Sequence, residues 1–104
     1  MTHLAAALKQ RQKGDQSIMY ILIRHKVTDF AKWKSVYHEH LPARQKAGLK
    51  EVHLLRNTEN PNEVILLFSV EDLDKAQAFA ASDDLRQAMQ RAGVSDKPDV
   101  YFLE

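Results

Sequence analysis

The 104-residue chain has no cysteine, which excludes disulfides, thiolate zinc sites and a cysteine nucleophile. Long apolar runs are also missing. The longest, IMYILI and VILLF, fall far short of the roughly 18 residues of a membrane span. Charge of one sign is missing too: 15 Lys and Arg stand against 14 Asp and Glu, a formal net charge of +1. That balance gives no electrostatic case for nucleic acid or for an anionic membrane surface. With three glycines there is no Gly-rich phosphate loop, and neither GxSxG nor HExxH occurs. LAAAL is too short for the apolar part of a signal peptide and nothing basic precedes it. A cytoplasmic protein is the expectation.

What is present is the composition of one globular domain, with 44% hydrophobic and 28% charged residues. Residues 1–16, MTHLAAALKQRQKGDQ, read as an appended helix or tail that Gly14 breaks. Met19 offers a second start that would make the segment before it dispensable. Residues 17–104 form the single domain.

Within it, Ser17 to Val27 alternates as a strand, with Ile21, Ile23, His25 and Val27 on one face and Tyr20, Leu22, Arg24 and Lys26 on the other. Thr28 and Asp29 are N-cap residues for a helix from Phe30 to His40. Pro42 ends that helix, leaving a turn over Ala43 to Ala47 before Gly48. Leu49 to Arg56 is a second strand, Asn57 to Glu63 a turn, and Val64 to Val70 a third strand, apolar on both faces. Asp72 to Ala81 is a second helix. Ser82 caps a further helical piece over Leu85 to Ala92, with Asp83 and Asp84 as favourable first-turn charges. Asp99 to Leu103 closes as a last strand.

The order is strand, helix, strand, strand, helix, strand. This predicts an α+β, ferredoxin-like βαββαβ fold with a four-stranded antiparallel sheet in the order 4-1-3-2. The two most apolar strands fall in its centre, as that order requires. Helices cover one face only. Tyr20, Leu22 and part of VILLF are left on the other, which predicts a homodimer with sheet against sheet.

Three of the five histidines and the only tryptophan fall within RHKVTDFAKWKSVYHEH, Arg24 to His40. Phe30, Trp33, Tyr37, Leu41 and Arg44 share one side of the helical pattern, with His40 at its margin. His38 and His40 point to nearly opposite sides, about 200° apart, so they cannot chelate one metal, and no metal site is expected. His25 is the polar residue on the apolar face of the first strand, about 10 Å before the turn. Trp33 lies about 6 Å and His40 about 16 Å into the returning helix. His25, Trp33, Tyr37 and His40 can therefore converge on one volume between sheet and helix, the usual form of a small-molecule site. A core histidine and core aromatics would give the same pattern. His53, on the second strand, could share a face with His25.

RHKVTDFAKWKSVYHEH, ENPNEVILLF and SDDLRQAMQRAGVSDKPDVYFLE together resemble small bacterial proteins of the dimeric α+β barrel superfamily. These are close to the antibiotic-biosynthesis monooxygenase-like and stress-responsive groups, some of them labelled cyclases. The resemblance spans about residues 19–104. It implies a sheet-to-sheet homodimer with a pocket in each subunit for an apolar or aromatic small molecule. It also implies cofactor-free oxygenase or polyketide-cyclase-like chemistry, with no cofactor. Trp33 matches the tryptophan of the oxygenase pattern. The asparagine of that pattern is missing from the first strand, where Arg24 and His25 stand. In such an enzyme His25 or His40 is the candidate general base. Trp33, Tyr37 and Arg44 are the candidate substrate-binding and oxyanion-stabilising residues. The alternative is a non-enzymatic ligand-binding or stress-response dimer.

Overall fold

The structure is a computed structural model that describes residues 19–104. The appended segment expected over residues 1–16, and the first residues of the first strand, lie outside the described residues. The described elements are β1 (Met19–Lys26), α1 (Phe30–Glu39), α2 (Leu41–Lys46), β2 (Leu49–Asn57), β3 (Asn60–Val70), α3 (Leu73–Ala80), α4 (Asp83–Ala92) and β4 (Asp99–Leu103).

The sheet order is β2-β3-β1-β4 with every pairing antiparallel, the ferredoxin-like order expected. Alternation sets its two faces. On one face Ile21, Ile23, Val64, Leu66 and Phe68 are buried beneath the helices. On the other, Leu22 pairs with Leu67 on β3 and with Tyr101 on β4, and no helix among the described residues covers them. The described residues contain no helix long and apolar enough to cross a membrane.

Three boundaries differ from the sequence reading. The expected turn over Asn57 to Glu63 is a tight hairpin in which Asn57 pairs with Asn60. Local side-chain bonds hold it. Asn57 Oδ1 accepts from Glu59 N at 2.8 Å, Asn60 Oδ1 from Asn62 N at 3.2 Å, and Arg56 Nε donates to the Pro61 carbonyl at 2.8 Å. Asn and Asp close turns in this way without a long loop.

The turn expected after Pro42 is the short helix α2, with proline in its first turn, where the missing N–H costs nothing. α1 therefore ends at Glu39 and the chain changes direction at His40. Leu41 is 44% exposed as a result and does not join the side shared by Phe30, Trp33 and Tyr37.

In β2 the register shifts between Glu51 and His53. A bulge inserts one residue and reverses the alternation beyond it. Glu51 stays with Phe68 on the helix side, while His53 pairs with Leu67 on the open face, away from His25. The expectation that His53 shares a face with His25 fails for this reason.

The helices begin where their caps stand. Asp29 accepts from Ala31 N and Lys32 N, Asp72 from Lys75 N, and Ser82 Oγ from Leu85 N. α4 ends on Gly93, whose φ of 80° is left-handed, a conformation glycine adopts without a Cβ penalty. The Gly93 carbonyl then accepts from Thr28 N at 2.9 Å, and Ser95 N donates to the Lys26 carbonyl at 2.8 Å. These bonds fasten the end of α4 to the end of β1, so His25 is held between two fixed elements.

Candidate functional site

His25 projects from β1 toward the helices and is 3% exposed. Neither ring nitrogen has a hydrogen-bond partner among the described residues. Buried polar atoms are normally satisfied, so an orphaned imidazole points to a missing partner. Burial pushes the His25 pKa down from 6.5 to about 4, with Asp96 pulling weakly the other way. The ring is neutral at neutral pH. It offers one nitrogen as acceptor and one as donor.

The ring lies on the wall of an apolar cavity of about 50 Å³ between sheet and helices. Tyr37, His40 and Arg44 line the same cavity, with Phe79, Leu85 and Met89 supplying apolar surface. Four of the five sequence-predicted site residues thus meet around one space. Trp33 stands behind it. Its indole stacks on Tyr37 at 4.8 Å and on Phe30 at 5.7 Å, and meets His25 edge-on at 5.6 Å. It fixes the His25 and Tyr37 rings from the side away from the cavity.

Tyr37 donates its hydroxyl proton to Glu51 Oε1 at 2.7 Å. Burial, aided by that bond, raises its pKa and keeps the phenol neutral. Arg44 lies over the Tyr37 ring at 3.7 Å and donates Nη1–H to the Tyr37 carbonyl at 2.7 Å. Arg44 is 6% exposed, and burial lowers its pKa. His40 Nε2 meets Asp84 Oδ2 at 2.8 Å, and its ring lies against Phe79 at 5.7 Å. His38 is exposed, its ring tilted against that of Tyr37 at 5.9 Å. No group of three His, Asp or Glu side chains suited to a metal ion occurs among the described residues.

Two partners escaped the sequence reading. Glu51 sits on an edge strand and gave no signal. Asp84 reads as a first-turn helix charge, yet it also reaches His40. Four of the cavity residues, Ile23, Phe79, Leu85 and Met89, also line a larger groove of about 280 Å³ running toward Pro98 and Val100 on β4. The cavity and the groove thus adjoin along a shared apolar wall.

An antiparallel ferredoxin-like sheet with helices on one face defines a class of small α+β proteins, and known structures share this fold. A candidate antibiotic biosynthesis monooxygenase from Bordetella bronchiseptica superposes with a TM-score of 0.71 at 20% identity, covering 86% of this chain and 97% of that one. A second candidate of the same kind, from Caulobacter crescentus, gives 0.63 at 17% identity over 91% and 95%. SnoaB from Streptomyces nogalater, a cofactor-independent oxygenase solved as a variant, gives 0.62 at 20% identity over 84% and 91%. The fold of this chain is that of the antibiotic biosynthesis monooxygenase-like proteins. No family model matches the sequence, and no curated protein does.

Proposed function

We propose that this protein is a small-molecule enzyme of the cofactor-independent oxygenase or cyclase-like kind. Its substrate is largely apolar or aromatic, and His25 accepts a proton from it. One observation carries the reading: a buried imidazole with both nitrogens unpartnered on the wall of an apolar cavity. A neutral ring can take a proton from an acidic C–H or enol. The imidazolium that burial disfavours is then offset by the substrate anion formed beside it. Arg44 stands at the same cavity to stabilise that anion, while the Tyr37 hydroxyl is held by Glu51. His40, oriented by Asp84, is the second candidate base. In the oxygenation, a CH2 becomes a C=O, one O2 is consumed and one water is released. Aldol cyclisation shares the first deprotonation and needs no O2. The likeness to a cofactor-independent oxygenase in fold supports the choice of class.

A second reading has its own support. With its pKa near 4, His25 is a weak base, which suits a hydrogen-bonding anchor in a ligand-binding or stress-response protein. In either reading the molecule is a homodimer through its open sheet face.

Oxygen uptake and product formation with an anthrone-type tricyclic phenol separate the two. The enzyme consumes O2 above the buffer rate, and His25→Phe loses at least about a hundredfold of that rate, the usual contribution of a positioned base. Binding without turnover in the native protein leaves the binding-protein reading and removes the oxygenase one.

A further inference from the structure

Arg44 carries a cost that the described structure does not fully offset. The residue is buried, and none of the ion pairs among the described residues includes it. The carboxylate that acts on it electrostatically, Glu51, is engaged by the Tyr37 hydroxyl instead. One side-chain hydrogen bond, to the Tyr37 carbonyl, and the face of the Tyr37 ring hold the group. A guanidinium has five N–H donors, and a buried cation is normally paired. Arg44 and the unpartnered His25 line one cavity. Each can offer an N–H donor to an acid group in that cavity, since a neutral imidazole keeps one N–H. The adjoining space is of a different kind: the groove that shares Phe79, Leu85 and Met89 with the cavity and reaches Val100 is walled mostly by apolar side chains, with Ser82, Arg86 and Lys97 as its polar members.

We propose that the ligand of this site is an amphipathic carboxylate, with its acid group at Arg44 and His25 and an elongated apolar body in the groove between α3, α4 and β4. The proposal rests on the cavity being the ligand site and adds the charge and shape of what enters it. Arg44 is then the residue that selects an acid over a neutral molecule of equal length. At the outer end, Arg86 is already paired with Asp83 at 3.1 Å. Lys97 lines the groove mouth and is the competing anchor for a ligand bound the other way round.

The test is titration of the full-length protein with decanoate, decan-ol and decylamine, read by the fluorescence of Trp33, the chain's only tryptophan, which stacks on the cavity wall. Decanoate binds about tenfold or more tightly than decanol, the ratio expected for one charge-assisted contact, and decylamine binds weakest. Arg44→Gln brings acid and alcohol to within about twofold, Arg44→Lys retains part of the preference, and Lys97→Gln leaves it intact. The native acid-to-alcohol ratio needs no variant to fold. Equal binding of acid and alcohol by the native protein overturns the carboxylate assignment and leaves the apolar pocket standing. Loss of the preference in Lys97→Gln, with Arg44→Gln unchanged, overturns the orientation. Failure of all three probes to bind removes the pocket reading along with this one.

Discussion

At the scale of single residues, the most telling side chain is His25. Its place was legible in the sequence, because alternation puts one polar residue on an otherwise apolar strand face. What alternation cannot supply is the partner. Glu51 and Asp84 reach Tyr37 and His40 from elements distant in sequence, so neither contact leaves a local trace. The lack of a partner for His25 sets the sign of a prediction. A buried, unsatisfied polar group costs roughly 1–3 kcal/mol, and replacing it with an apolar group of similar shape removes that cost. His25→Phe keeps the ring beside Trp33 and is expected to raise stability by about 1 kcal/mol while abolishing turnover. The pH dependence follows from the same burial. Between the folded pKa near 4 and the ordinary 6.5, the unfolded chain binds a proton that the folded chain does not. Stability from this group is therefore full above 6.5, falls as pH drops through that window, and levels off below about 4. The whole loss is on the order of 3 kcal/mol. Urea unfolding of native and His25→Phe proteins across pH 4–7 checks both effects. A native-minus-variant difference that stays flat with pH means that His25 is not buried neutral.

At the scale of elements, strand and helix identities were legible from period and caps, because Asp29, Asp72 and Ser82 are strong start signals. The boundaries that escaped were set by effects with no period. They are side-chain closure of the Asn57–Asn60 hairpin, the bulge before His53, and the change of direction at His40 that exposes Leu41. The junction at Gly93 shows how tightly elements are fixed around the site. Its φ is 80°, and a Cβ there would stand 2.6 Å from Thr28 Oγ1. Gly48 has a similar φ of 75° but more room, its nearest contact being Glu71 Cβ at 3.2 Å. Left-handed backbone costs a non-glycine residue roughly 1–2 kcal/mol, and overpacking adds to it. Gly93→Ala is expected to cost about 2–4 kcal/mol and Gly48→Ala about 1–2 kcal/mol. Adding Thr28→Ala to Gly93→Ala recovers the steric part and leaves the backbone part. Equal costs for the two glycines, or no recovery in the double variant, would show that Thr28 Oγ1 does not limit the space at Gly93.

At the scale of the whole molecule, the open sheet face is the feature that no other described element covers. Four strands about 4.8 Å apart and five or more residues long present on the order of 300 Å² in projection, and the corrugated accessible area is larger. Tyr101 is 53% exposed, Leu55 53% and Leu103 41%, around a centre formed by the Leu22–Leu67 pair. Apolar patches of that size on a soluble chain mark interfaces, and a flat, self-complementary sheet face suits a two-fold axis. Arg24, beside Leu22 on that face, is already neutralised in place. Arg24 is bonded to Glu63 and to Asp99, so covering it does not strand a lone cation. Sheet-to-sheet association would also brace β1 and β3 from behind, the two strands whose other faces form the floor of the cavity. The native protein is therefore expected to run as a dimer at micromolar concentration in size-exclusion chromatography with light scattering. Leu67→Asp places a carboxylate on each side of the axis region, where an unpaired buried charge costs several kcal/mol. It is expected to give a folded monomer with unchanged far-ultraviolet circular dichroism and weaker ligand binding. A native monomer, or a Leu67→Asp protein that remains dimeric, means that the open face is covered by something other than a second copy of itself.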